Sequence, residues 1–414
     1  MILNDQYNFE VHGEHLIILK SGLVVMENEC KEASVVIADG TIKAILTDSK
    51  YVDECIEHYK LQNKALVITV IDAAGKTILP GLIDIHCDAI EKEVQPRPNT
   101  LFPLEMSLLE FERKLPVHGI TTMYHSLSLG VGLSLRGYHL VNDLIELIHR
   151  YKTERSLVRN YIHLRYEVAY DDGLPYIERY IKQKKIHYLS YMDHSPGQGQ
   201  YRQEGSFERY VMKNQGVTIA EVKEIVDQLM ERRQAIDWDK LKHLSLLAAK
   251  NGIAVASHDD DSFEKIELAK HNGVAVSEFP IMLDVAKYAV QNGMSVCVGA
   301  PNVVRGASHD QNLRASDAIV EAGAQILCSD YHPASMLQAV FKLHTESTIP
   351  LHEAVKLATL HPAQAMGTAA ETGSIAEGKK ADLIVVDQFH NLPFVEMTIV
   401  NGKIVYTSRP YYEA

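Results

Sequence analysis

Leu79-Pro80-Gly81-Leu82-Ile83-Asp84-Ile85-His86-Cys87-Asp88 is an apolar, β-branched run that ends on an imidazole and a carboxylate. Residues i and i+2 of an extended chain share a face, so His86 and Asp88 can point together while Cys87 points away. The run, taken from Ile78 to His86, is the first of a series. Ile120 to Leu127, Tyr161 to Val168, Ile186 to Asp193, Ile253 to His258, Val274 to Phe279, Ser295 to Gly299 and Gln325 to Ser329 follow the same plan. Each is succeeded by a polar segment and then a helical pattern. Such runs read as parallel strands buried on both faces, and eight of them imply closure into an α/β TIM (β/α)8 barrel.

About sixty residues separate the fourth run from the fifth. Within this gap Ser195 to Gly216, rich in Gly, Gln, Tyr and Arg, reads as a long loop placed as a lid or substrate-binding loop. Thr218-Ile219-Ala220-Glu221 resembles a capping box, and the charged, periodic stretch to Gln234 reads as an exposed helix.

The chain has 414 residues, more than the roughly 250 of a barrel, and its ends differ in kind. Residues 15 to 46 alternate like strands around an Asp39-Gly40 turn, and residues 382 to 406 contain two more runs around Asn401-Gly402. Neither end holds enough strands for a core. Residues 1–75 and 367–414 are therefore expected to join in one small β-sandwich domain beside a barrel of residues 76–366.

With 46% hydrophobic and 23% charged residues the composition is that of a globular protein. No stretch approaches the roughly 18 apolar residues of a membrane span, and Met1 to Glu10 is polar, so the cytoplasm is the expected location. The five cysteines are odd in number and lack C-x-x-C spacing, which predicts reduced thiols. A net charge of -13 argues against nucleic acid or anionic membrane as partners. A small anionic substrate would need concentrated arginines or metal ions. The sequence leaves a homo-oligomer open.

Strand ends carry the chemistry. His86 and Asp88 close the first run, Glu167 the third, Asp193-His194 the fourth, His258-Asp259-Asp260 the fifth, and Asp330 follows the eighth. For any one of these a hydrogen-bonded structural role is equally expected, but a barrel brings all of them to one face. Imidazoles and carboxylates suit one or two divalent cations, zinc first, with manganese or iron as alternatives. Two histidines, His86 and His258, with the carboxylates Asp88, Glu167 and Asp330 are the expected ligands, with Glu167 as a bridge and Asp330 doubling as the catalytic base. A basic set, Arg97 after the first strand and Asn302, Arg305, Ser308 and His309 after the seventh, is placed to hold phosphate oxygens.

Leu79 to Asp84 leading into His86, and Gly373 to Asp387 near the C-terminus, resemble the entry and exit signatures of the amidohydrolase superfamily. That resemblance implies the split β domain and a metal-activated water. Pro96-Arg97-Pro98, Met192-Asp193-His194-Ser195-Pro196-Gly197-Gln198, Ser257-His258-Asp259-Asp260, Gly299-Ala300-Pro301-Asn302 with Val304-Arg305-Gly306, and Ser329-Asp330-Tyr331 more narrowly resemble the triphosphate diphosphatases of phosphonate metabolism. Their reaction removes pyrophosphate from a ribosyl 5-triphosphate, a phosphorylated sugar. The chain departs from the broader superfamily in having His86-x-Asp88 for His-x-His, and in ending its sixth run on Ser277-Glu278-Phe279-Pro280 without the usual histidine. His194 is expected to supply the missing imidazole of the second metal site, with Asp193 and Glu278 as rivals. The alternative function is hydrolysis of a cyclic amide or deamination of a small molecule, commoner in the superfamily.

Overall fold

The computed structural model describes residues 10–408 apart from 64, 98–99, 131–136, 204, 216–218, 308–311 and 348. The N-terminal strands are β1 (His15–Val25), β2 (Cys30–Ala38), β3 (Thr41–Leu46), β4 (Val67–Asp72) and β5 (Thr77–Pro80). Eight parallel strands follow: β6 (Leu82–Cys87), β7 (Ile120–Leu129), β8 (Arg159–Glu167), β9 (Tyr188–Met192), β10 (Ala254–His258), β11 (Val276–Glu278), β12 (Ser295–Gly299) and β13 (Ile326–Cys328). The chain ends on β14 (Leu383–Phe389), β15 (Leu392–Val400) and β16 (Lys403–Thr407), three strands where two were expected.

Both ends share one mixed sheet, in the order β16-β15-β14-β5-β1-β2-β3 with β4 also on β1. The two turns seen in the sequence meet there. Asp39, Gly40, Asn401 and Gly402 all have positive φ, and a Cβ on Gly402 would lie 2.8 Å from the Gly40 Cα. A helix unforeseen in the sequence, Ser49–Gln62, buries Val52, Cys55 and Tyr59 against Leu16, Ile18 and Val36 of β1 and β2. Its apolar residues recur at helical spacing, which covers the sheet's second face.

The first run of the sequence is divided between the two sheets. Thr77–Pro80 pairs with β14 in the end sheet, and the chain crosses at Gly81 to begin β6. A Cβ on Gly81 would fall 2.3 Å from the Thr121 side chain, so the crossing needs a glycine.

The barrel strands run β6 to β13 in sequence order. Every residue of β6 and β7 is buried, as strands covered on both faces require. The seam between β6 and β13 closes directly only at the carboxyl ends, where Asp330 N–H donates to His86 O at 2.9 Å and Asp88 N–H to Asp330 O at 2.7 Å. Lower down, Ile83 N–H and Leu327 N–H donate to the carbonyls of Ala358 and Leu357.

The stretch expected as a long loop, Ser195 to Gly216, is largely ordered as helix. A 3-10 turn at Gly199–Tyr201 precedes the helix Ser206–Gln215, which packs on the helix Ile219–Gln234. Phe207, Val211 and Val222 form a small apolar cluster between them. The Gly and Gln content concealed the i, i+4 spacing of Phe207 and Val211, and Gly216 and Thr218 lie outside the described residues. Among the described residues no helix is long and apolar enough to cross a membrane.

Candidate active site

Alternation along β6 would turn His86 outward, since Ile83 and Ile85 already belong to the barrel interior. A register shift against β7 between Asp84 and Cys87 re-aims the chain, and the His86 ring packs 4.9 Å from those of His163 and Phe279. His86 Nδ1–H donates to Glu278 Oε1 at 2.9 Å, and the Tyr188 hydroxyl donates to the same oxygen at 2.9 Å. The Glu278 carboxylate thereby fixes the tautomer that leaves the His86 Nε2 lone pair available.

His194 is oriented in the same way from another strand. Its backbone N–H donates to Glu167 Oε1 at 2.8 Å and its Nδ1–H to Glu167 Oε2 at 2.9 Å. Both oxygens of Glu167, expected as a bridging ligand, therefore position His194. His194 Nε2 lies 3.9 Å from Asp259 Oδ2, which lies 3.1 Å from His258 Nδ1.

Ligand atoms of His194, His258 and Asp259 lie within 4.8 Å of one another, as do those of His86, His163 and Glu278. His163 bonds Ser126 through Nδ1 and Ser190 through Nε2, so both its nitrogens are engaged. His86 Nε2, Asp88 Oδ1, His194 Nε2, His258 Nδ1, Asp259 Oδ2 and Glu278 Oε2 are all buried without a hydrogen-bond partner among the described residues. Leaving such atoms unpaired costs about 1–3 kcal/mol each. Convergent imidazole and carboxylate lone pairs are the donor set of a divalent transition metal, and the residues present fit one.

The backbone is strained at the same place. Asp259, Phe279 and Asp330, each just beyond the end of a barrel strand, have φ of 54°, 53° and 58°; aspartate accepts this conformation readily, whereas a bulky phenylalanine adopts it only when its surroundings hold it there. Burial and the neighbouring Asp88 push the Asp330 carboxyl up to about 7, against Arg165 and His258. Burial, Arg165 and His258 hold His86 well below its ordinary value. Burial lowers His258 too, but the Asp259 carboxylate outweighs it and the net shift is upward.

The remaining expected residues are dispersed. Asp193 accepts from Arg233 Nε at 2.9 Å and from Ser195 N–H, tying the helix Ile219–Gln234 to the end of β9. Asn302 accepts from Ala315 N–H at 3.0 Å and donates to Leu313 O, clamping the segment after its own short helix. Arg97 is exposed at a bridge with Thr100, and Arg305 is exposed in the last turn of Ala300–Arg305. Ser308 and His309 lie outside the described residues. Sequence reasoning named Asp259 among the strand ends but left it out of the ligand set, kept Glu278 as a rival ligand, and overlooked Arg165 and His163. The last two carried a signal, because His163, Arg165 and Glu167 share one face of β8 by i, i+2 spacing.

The structure is thus a parallel eight-stranded barrel with a split end sheet and a cluster of imidazoles and carboxylates at its strand ends. Residues 205–405 match the model of the amidohydrolase family, in keeping with the superfamily resemblance read from the sequence. Alpha-D-ribose 1-methylphosphonate 5-triphosphate diphosphatase of Escherichia coli (strain K12) is 29% identical over 396 residues, covering 94% of this chain and 100% of that protein. A 5'-deoxyadenosine deaminase of Methanobrevibacter smithii is 28% identical over 204 residues, 48% of this chain and 43% of that protein. Among solved structures, a dihydropyrimidinase from Brevibacillus agri NCHU1002 superposes with a TM-score of 0.62 at 15% identity, covering 94% of each chain. That likeness concerns the fold alone.

Proposed function

We propose that the protein hydrolyses alpha-D-ribose 1-methylphosphonate 5-triphosphate to the 5-phosphate and pyrophosphate, as a step of phosphonate degradation. The observation that carries this reading is the end-to-end match, over 94% of this chain and all of the partner, to the diphosphatase of Escherichia coli. The buried, unpartnered ligand atoms support the hydrolytic part of it.

One or two divalent cations, zinc first and manganese or iron as alternatives, would be held by His194, His258 and Asp259 and by His86, Asp88 and Asp330, supplying charge stabilisation and an acidified water. Glu278 and Glu167 hold His86 and His194 with Nε2 turned to the centre. Asp330, just beyond the last barrel strand, accepts the proton of the water that attacks the alpha-phosphorus. Pyrophosphate leaves. Arg97, Arg305, Ser308 and His309, on the segments after β6 and β12, hold phosphate or phosphonate oxygens, while Asn302, whose amide clamps Ala315 and Leu313, supports that segment. Five unpaired cysteines suit a cytoplasmic, reducing location.

The test is phosphorus NMR of the ribosyl triphosphate incubated with metal-loaded protein. Pyrophosphate and the 5-phosphate are expected, and chelation should abolish their release until divalent cation is restored. The second reading, deamination or cyclic-amide hydrolysis, draws on the partial match to a deaminase. Turnover of such substrates with none of the triphosphate would replace the first reading by the second.

A further inference from the structure

Arg165 lies on β8 between His163 and Glu167, with its side chain 9% exposed. Its pairing is thin for a buried cation. Nη1 is 3.5 Å from Asp88 Oδ2, Nη2 is 3.3 Å from His258 Nε2, and Nε has no hydrogen-bond partner among the described residues. Glu91, Glu278 and Asp330 add their field. Removing a guanidinium from water costs several kcal/mol unless its charge and donors are met.

The contact with His258 is incompatible with a cation on His258 Nδ1. A guanidinium only donates, so the bond to His258 requires the lone pair on Nε2 and the imidazole proton on Nδ1, beside Asp259. A cation held at His258 Nδ1 demands the opposite tautomer, which turns an N–H toward Arg165. Asp88, the other contact, is a proposed ligand through its unpartnered Oδ1, which leaves Oδ2 beside Arg165 Nη1. Loading the centre therefore takes the His258 acceptor from Nη2 and leaves two donors of the buried guanidinium, Nη2 and Nε, without one.

We propose that Arg165 is a specificity-determining residue that binds a phosphoryl oxygen of the substrate inside the metal centre, selecting polyphosphate esters over neutral amides. This rests on the diphosphatase reading and deepens it. A phosphoryl group supplies both the negative charge and the paired oxygens that a guanidinium fork matches. A neutral amide supplies neither.

Inorganic tripolyphosphate is the probe, titrated calorimetrically into metal-loaded wild type, Arg165→Met and Arg165→Lys, with metal content and Tm measured on the same samples. Arg165→Met should keep its metal and bind tripolyphosphate about ten- to a hundredfold more weakly, and its KM for the ribosyl triphosphate should rise by a similar factor. Arg165→Lys retains the charge without the fork and should fall between the two. Unchanged tripolyphosphate affinity in Arg165→Met overturns the proposal. Should Arg165→Met lose its fold or metal, Arg165→Lys decides: a several-fold loss supports the proposal and wild-type affinity overturns it. Triphosphate turnover by wild type combined with indifferent variants removes Arg165 alone and leaves the diphosphatase reading standing. Wild type that processes a neutral amide and ignores the triphosphate removes that reading and the proposal with it.

Discussion

Replacing Glu278 by glutamine tests the orientation of His86 at its source. Glu278 is fully buried, and one of its oxygens accepts from both His86 Nδ1–H and the Tyr188 hydroxyl at 2.9 Å. A glutamine carbonyl can still accept from both, so the shape survives and the charge is lost. A charge-assisted bond contributes about 1.5–3 kcal/mol and a neutral one about 0.5–1.5 kcal/mol, a difference of roughly 1–1.5 kcal/mol. His86 becomes a less basic and less firmly held ligand, and cation affinity should fall about tenfold. The assay is competition with a chromophoric chelator. Glu278→Ala should behave differently, because it leaves the His86 N–H and the Tyr188 O–H buried without an acceptor, at about 1–3 kcal/mol each. Its main effect should be a lower Tm. Wild-type affinity in Glu278→Gln would refute the orienting role, and complete loss of binding would refute it from the other side by making Glu278 a ligand.

Asp330→Asn is nearly isosteric but cannot accept the proton, so kcat should fall about a hundredfold or more while substrate still binds. Wild-type turnover in a variant shown to hold its metal excludes Asp330 as the base. His125, buried in β7 with its Nε2–H on Asn160, is pushed down to about 4 by burial. Unfolded histidine binds its proton near pH 6.5, so the unfolded state gains protons first as pH falls. Stability should drop by roughly 2 kcal/mol from this group between pH 7 and 5, and urea melts of His125→Gln should show a flatter slope than wild type. An identical slope would rule out a neutral His125. Gly81→Ala drives a methyl into Thr121, 2.3 Å away, and should cost about 1–3 kcal/mol or more. An unchanged Tm would mean that the β5–β6 crossing relaxes freely.

The eight parallel strands and their order were legible because each is a short apolar run, and burial on both faces leaves that pattern in any barrel strand. The two end turns were legible because Asp39-Gly40 and Asn401-Gly402 are chemically suited to positive φ. Convergence of His86, His194 and His258 at one face followed from the rule that strand ends gather at the barrel mouth. The partnership inside that face did not. Whether Glu167 bridges cations or orients His194, and whether Glu278 or Asp193 turns inward, depends on contacts between residues 27, 192 or 40 positions apart. The inward turn of His86 needed a strand irregularity that its own alternation contradicts. Local periodicity decides which residues share a strand and a face. Which nitrogen of a histidine keeps its lone pair, and whether Arg165 finds an anion, is decided only where separate strands bring charged groups to within a few ångströms in a site too buried for water to screen them.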